Sequence, residues 1–339
     1  MKDLKPDRIM LAHGSGGQMS HKLIEEIFKP AWDNPWQAAM LDGAVLDLPP
    51  GKVALSTDSF VITPLIFPGG DIGKLAICGT VNDLVACGAD PLYLTAAFII
   101  EEGFSIEKLR NIVLSMANCA KTSGIHLVCG DTKVVEKGSA DGLFINTTGI
   151  GVIPTGINYS PKQIKAEDIV IISGNIGDHG LAVLAQREGL KFNTSAISDC
   201  APLHEIGSKL VPYGPAVRCL RDPTRGGLAT VLNELAGQAG LGMVISENRL
   251  PISATVNGAC AMLGLDPLYM ANEGKMVIIS SPDAADAIIS DLRQLEAAAQ
   301  AQIIGKVIEQ PAGTVLLETE LGSARILPML EGEHLPRIC

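Results

Sequence analysis

Two rhythms of apolar residues alternate along the chain. Lys52–Asp58 (KVALSTD) and Pro91–Ile100 (PLYLTAAFII) are short apolar runs that end at polar residues, Gly or Pro, the pattern of strands. Asp71–Ala89 (DIGKLAICGTVNDLVACGA) has apolar positions at helical spacing, with Asp71 placed to cap its first turn. Ser105–Gly124 predicts an amphipathic helix that Ser105 caps and Gly124 stops. Ile125–Val135 and Gly142–Ile153 read as strands, and Pro154 opens a loop. The pattern then restarts with a strand at Glu167–Ser173, helices at Asp178–Glu188 and Arg225–Gly240, and a strand at Met276–Ser280. An Ala-rich helix around Ala284–Ala299, a strand at Ala301–Glu309 and a last strand at Thr314–Thr319 follow. The expectation is two α/β halves. Their limits are 36–155 and 165–327, behind an N-terminal segment (1–35) with a Gly-rich loop and before a flexible tail (328–339).

Composition narrows the class. The 339 residues are 47% hydrophobic but only 4% aromatic, as suits buried sheets of aliphatic side chains. A net charge of −11 offers no basic stripe for nucleic acid. No apolar run reaches the length of a signal peptide or a membrane span, so a cytoplasmic location is expected. The eight cysteines form no C-x-x-C pair, so in a reducing compartment the first seven read as small core residues. Cys339 ends a tail with two prolines, a glycine and no helical period, and does not fit that reading.

Two Gly-rich turns suit phosphate. Gly174–Gly180 joins a strand to a helix and holds Gly174, Gly177, Asp178 and His179; Gly14, Gly16 and Gly17 precede another helix. Phe67–Leu75 imitates a Walker loop but has Pro68 and Leu75 where that motif needs Gly and Ser or Thr. Asp42, Asp58, Asp83 and Asp131 are acids set in apolar or Gly-rich sequence, where a solvated face would interleave Lys and Arg. Singly each reads as a cap; together with phosphate loops they suit Mg²⁺ and a nucleotide.

These motifs resemble the PurM-like ATP-binding fold of the aminoimidazole ribonucleotide synthetase family. STD (Ser56–Asp58), NDLVACGADP (Asn82–Pro91) and GDT (Gly130–Thr132) are similar to its ATP–Mg²⁺ side. SGNIGDHG and RDPTRGGLATVLNELA are similar to its second half. Within it, FPGGDIGKLAICGTVND, GDTKVV, ANEGK and the terminal PRIC resemble the HypE family of hydrogenase maturation proteins.

The resemblance implies a two-domain α/β fold that dimerises through a β-barrel shared by the N-terminal halves, with ATP near that interface. It implies that Cys339 receives a carbamoyl group from the carbamoyltransferase HypF. ATP-dependent dehydration to a thiocyanate follows, and the cyano group passes to iron on a HypC–HypD complex. It places Asp58, Lys74, Asn82, Thr132, Asp222 and Arg225 at the nucleotide. Lys133 and Glu273 are its candidate bases. Lys133 reads equally as a phosphate ligand, and Glu273 as the partner of Lys275 or Lys133. His334 in the tail is a weaker candidate for activating the thiol. The rival readings are a small-molecule kinase of the same fold and a carrier module that holds ATP only structurally.

Overall fold

The computed structural model describes residues 7–38, 43–190, 196–332 and 337–339, with Gln37 and Ala38 as backbone only. The first half is built on a four-stranded sheet in the order β1 (Lys52–Phe60), β6 (Leu143–Ile153), β4 (Asp90–Glu101), β5 (His126–Val135). Its pairs are antiparallel except β4 with β5, which are parallel and joined across the Ile106–Thr122 helix. One face of the sheet is covered by that helix and by Ile72–Ala86, which is buried along nearly its whole length. Both start at the expected caps: Asp71 Oδ1 accepts from Gly73 N and Lys74 N (2.8 and 3.0 Å), and Ser105 Oγ from Lys108 N (3.3 Å). The other face leaves Val53, Leu55 and Ile99 exposed. A two-stranded ribbon, β2 (Ile66–Phe67) and β3 (Gly70–Asp71), leads into the first helix.

The second half carries a seven-stranded sheet. Its order is β13 (Ala324–Ile326), β12 (Val315–Glu318), β9 (Gly242–Ser246), β11 (Gln302–Ile308), β7 (Ile169–Ile172), β10 (Val277–Ser280), β8 (Val217–Arg221). Helices Asp178–Glu188, Gly227–Ala239 and Pro282–Leu292 accompany it. Three strands escape the periodicity: β8, β9 and β13 are five residues or fewer, and β13 follows the strand expected to be last. The Ala-rich helix ends at Leu292 and resumes as a single 3₁₀ turn at Glu296–Ala298.

One apolar core runs through both halves, from Phe60, Ile72 and Leu75 to Leu203, Ile206, Met276 and Ile288, and includes Ile338 of the tail. Asn82 ties the halves together by polar bonds. Its Oδ1 accepts from Leu203 N (2.8 Å), and its Nδ2 donates to Ala201 O (3.2 Å) and Glu273 O (3.3 Å). Among the described residues no helix is long and apolar enough to cross a membrane.

Candidate active site

The seam between the halves gathers acids from four segments. Asp58 comes from β1, Asp83 from the Ile72–Ala86 helix, Asp222 from the end of β8, and Glu273 from the turn before β10. Their charges act on one another. Burial, and then Asp83, push Asp222 up to about 7. Burial raises Asp83 too, against a 2.6 Å bond from Ser56 Oγ and with Asp58 adding to the rise. Glu273 is 2% exposed and its Oε1 meets no hydrogen-bond donor. Burial, then Asp222, Asp199 and Asp58, hold its carboxyl well above the usual range. Two cations offset this charge: Arg221 favours the ionised forms of Asp83 and Asp222, and Arg225 those of Asp83 and Glu273.

The helix starts around the cluster depend on glycine. Gly227 has φ +63°, and a Cβ there would lie 2.6 Å from both Leu268 O and Met270 O. Gly177 (φ +89°) begins the Asp178–Glu188 helix, and its N–H donates to Asn272 Oδ1 at 2.7 Å. Asn272 spends its amide on Pro223 O and Met270 O (2.9 and 3.0 Å), which fixes the turn that presents Glu273.

Into this seam comes the end of the chain. Residues 337–339 run antiparallel to Val61–Thr63, with Val61 N donating to Cys339 O (3.2 Å) and Thr63 N to Arg337 O (3.3 Å). Arg187 donates to Arg337 O and to Thr63 O, both at 2.8 Å. Arg337 Nε donates to Val61 O (2.9 Å), and its guanidinium pairs with Asp141. Ile338 is buried, and its carbonyl accepts from His179 Nε2 at 2.9 Å. That bond requires a proton on Nε2, so Nδ1 of the neutral ring accepts from Ser198 Oγ (2.8 Å), which itself accepts from Cys200 N (3.0 Å). Burial lowers the pKa of His179 and keeps the ring neutral. Cys339 thus lies in a cleft of about 350 Å³ with Val61, Arg225, Gly226 and Ala271. Burial, followed by Glu273, pushes its thiol far up, so the docked sulfur keeps its proton.

Other expected residues take different places. His179 does not face solvent as a phosphate ligand: it is fully buried and grips the tail. Asn82 is occupied as the clamp between the halves. Lys74 Nζ is bonded to Gly69 O (2.9 Å), and Asp178 accepts from Ser253 Oγ (3.4 Å). Gly174 packs on Lys275, whose Nζ bonds Gly274 O (2.9 Å) and lies 3.5 Å from Asp199 Oδ2. Lys275 therefore pairs with Asp199 and leaves Glu273 without the ion pair considered for it. Asp131 and Lys133 bond each other (2.7 Å) on β5, at the sheet edge opposite Asp58. Three strand spacings separate those edges, about 14 Å. There Asp131, Thr132 and Lys133 line a second cleft of about 220 Å³ with Gly14, Gly16, Trp32 and Phe98; Gly17 starts the adjoining Gln18–Leu23 helix. Asp42 and His334 lie outside the described residues. Arg187 and Ser198, both in the tail's grip, carry no local sequence signal that marks them.

Family models match residues 40–153 as an AIR synthase related protein N-terminal domain and 165–318 as the corresponding C-terminal domain. The carbamoyl dehydratase HypE of Cupriavidus necator is 47% identical over 338 residues, 99% of this chain and 96% of the relative. That of Escherichia coli K12 is 46% identical over 338 residues, 98% of this chain and all of the relative. The chain belongs to the HypE family. HypE proteins of this kind are named carbamoyl dehydratases, so the family is one of enzymes. A crystal structure of HypE in complex with ATP superposes with a TM-score of 0.94 at 46% identity, covering 97% of this chain and 99% of that one. The HypE of a HypE–HypF complex superposes at 0.81 with 51% identity, covering 91% and 99%. A thiamine-monophosphate kinase, 18% identical with a TM-score of 0.65 over 84% of this chain, shares the fold alone.

Proposed function

We propose that this HypE-family chain dehydrates a carbamoyl group carried on its own Cys339, with ATP as co-substrate and [NiFe]-hydrogenase maturation as its setting. The observation that carries this reading is the docked tail: the last residue sits beside Glu273 and Arg225, held through backbone groups of residues 337–339. A kinase acting on a free metabolite has no use for a cleft that its own terminus enters.

The chemistry follows from charge. The amide oxygen of the S-carbamoyl group attacks the γ-phosphorus of ATP, ADP leaves, and the nitrogen loses one proton. The C–O bond then breaks, phosphate departs, the second proton leaves, and a C≡N bond remains on sulfur. Glu273 is the base we assign to the nitrogen, because its raised pKa makes its carboxylate more basic than an ordinary one and its Oε1 is uncommitted. Arg225 offsets charge at the phosphates. Burial of the tail keeps water from the imidate phosphate.

Asp58, Asp83 and Asp222 fit Mg²⁺. They offer only oxygen, and the burial and mutual repulsion that raise Asp83 and Asp222 are what a hard cation relieves. Among the described residues no three acids close on a point by themselves. That suits an ion which keeps waters and takes phosphate oxygens as ligands. When bound, it would neutralise charge on the transferred phosphoryl group.

A homodimer is part of the proposal. One face of the four-stranded sheet leaves Val53, Leu55 and Ile99 exposed, and among the described strands β1 and β5 each pair on one side only. A second copy that closes this sheet into a barrel brings Asp131, Thr132, Lys133 and the Gly14–Gly17 turn of one protomer toward the Asp58 cluster of its partner. Lys133 is then a phosphate ligand or second base in trans. HypF as carbamoyl donor, a HypC–HypD complex as cyanide acceptor and a cytoplasmic setting complete the reading.

The test is mass analysis of the C-terminal peptide after incubation with a carbamoyl-transfer partner, then with ATP–Mg²⁺. A carbamoyl gain on Cys339, and loss of water only with ATP, is expected. Carbamoylation of Cys339→Ala at the normal level would sink the assignment.

A further inference from the structure

Away from the cleft, three thiols meet under a surface groove. Cys78 lies midway along the Ile72–Ala86 helix and Cys119 near the end of the Ile106–Thr122 helix. Their sulfurs are 3.7 Å apart, in direct contact. Cys200, from the segment that seats the tail-gripping His179, lies close enough to the same Cys78 to raise its pKa. All three are free thiols. Cys78 and Cys200 are sealed at 0% and 2% exposure, whereas Cys119 reaches the floor of an open groove of about 510 Å³ lined by Lys74, Asn111, Ser115 and Thr122. Of these three, Cys119 (8% exposed) is the one that borders the groove, and it is also the one whose pKa is shifted down. The hydrogen bond shared with Cys78 lowers the Cys119 pKa against the burial that raises it, and Lys74 works in the same direction as Cys78. Core packing alone explains buried cysteines, but it does not call for two in sulfur contact with one opening to a groove.

We propose that Cys119 and Cys78 form an oxidisable pair, a modification site for small hydroperoxides that enter through this groove. The Cys119 thiolate attacks the peroxide oxygen, the O–O bond breaks, and water or an alcohol leaves; Cys119 becomes a sulfenic acid. The Cys78 sulfur then attacks the Cys119 sulfur, the S–O bond breaks, and water departs with the Cys78 proton. Two thiols lose two electrons to one peroxide and become a disulfide. Closing 3.7 Å to the disulfide length of about 2.05 Å draws the two helices together at that point.

The site is coupled to the cleft through one helix face. Cys78 precedes Asn82 by four residues, so both project from the same side. Asn82 holds Ala201, Leu203 and the Glu273 carbonyl. A pull on Cys78 is therefore a pull on the seat of Glu273, and the oxidised protein loses dehydration. This last consequence rests on the proposed reaction, whereas the disulfide itself does not.

The experiment treats the full chain with graded hydrogen peroxide, quenches with an alkylating reagent under denaturing conditions, and maps the peptides. A disulfide between Cys78 and Cys119, or between Cys78 and Cys200 after exchange, is expected before overoxidation of the exposed Cys87. Cys119→Ser and Cys119→Ala should each slow the loss of the Cys78 thiol roughly tenfold. Cys78 and Cys119 still alkylatable at a dose that converts Cys87 to its sulfinic acid would overturn the site, as would unchanged loss of the Cys78 thiol in both variants. Separately, loss of water from the carbamoylated tail should fall as the disulfide appears and return with dithiothreitol. Full activity in the disulfide form would overturn the coupling. No activity in the reduced protein would instead count against the proposed reaction.

Discussion

Asp222 is an acid of the cluster that changes charge near neutral pH. Burial, then Asp83 and more weakly Asp58, push its carboxyl up to about 7. A carboxyl raised on folding stabilises the fold while it holds its proton. That contribution is complete below the ordinary Asp pKa of about 3.9 and is lost as pH rises through about 7. The ligand-free protein should accordingly melt at lower temperature as pH goes from 5 to 8. Asp222→Asn should flatten that slope, and ATP–Mg²⁺ should offset it; a wild-type Tm independent of pH over this range would contradict the assignment. Glu273→Gln keeps the shape and removes the base, so single-turnover dehydration should fall by roughly 100-fold or more while ATP affinity stays close to wild type. Retained turnover would move the base elsewhere. The sequence singled out Asp58 and Asp83 by their apolar neighbours, but the same signal grouped them with Asp131, which stands at the opposite sheet edge, and with Asp42, outside the described residues. The role of His179 was not legible there. Its motif marks a Gly-rich helix start, but the direction of the ring is set by packing against Phe67, whose ring stands edge-on at 5.4 Å, and by the bond to Ser198.

The tail is the element that turns this ATP fold toward one substrate. Its lack of helical period was readable, whereas its partner strand was not, because Val61 and Cys339 are distant in sequence and neither run announces a pairing. The same limit hid β8, β9 and β13, which exist only through their neighbours in the sheet. The longer helices were readable since caps and periodicity are local. Docking raises the thiol pKa, so the docked state is favoured below the ordinary thiol pKa of about 8.5 and is lost as pH rises above it. An uncharged S-carbamoyl group does not carry this cost and should dock at any of these pH values. Iodoacetamide should therefore modify Cys339 at least roughly tenfold more slowly than a free cysteine of the same intrinsic pKa. Arg187→Ala or His179→Ala should restore most of that rate by removing backbone hydrogen bonds of about 1 kcal/mol each. Alkylation at the free-thiol rate in the wild-type protein would mean that the tail is not docked in solution.

At the scale of the whole molecule, the two clefts are the issue. Lys133 and Cys339 lie in separate clefts of one chain. If the partner's β5 edge completes the Asp58 cluster, Lys133→Ala and Cys339→Ala chains are each inactive but complement one another. Mixing them under conditions of subunit exchange should return about a quarter of wild-type turnover, since half the dimers are mixed and each has one intact site. No recovery, with mixed dimers confirmed by native mass spectrometry, would place the whole reaction within one chain. The docked end also has a bearing on concentration. Five hydrogen bonds on residues 337–339 and the Arg337–Asp141 pair make a weak contact between separate molecules, but a tether holds the local concentration of the tail near the millimolar range. The chain therefore saturates its own cleft at any dilution, yet a partner protein with ordinary micromolar affinity for the tail can still draw it out.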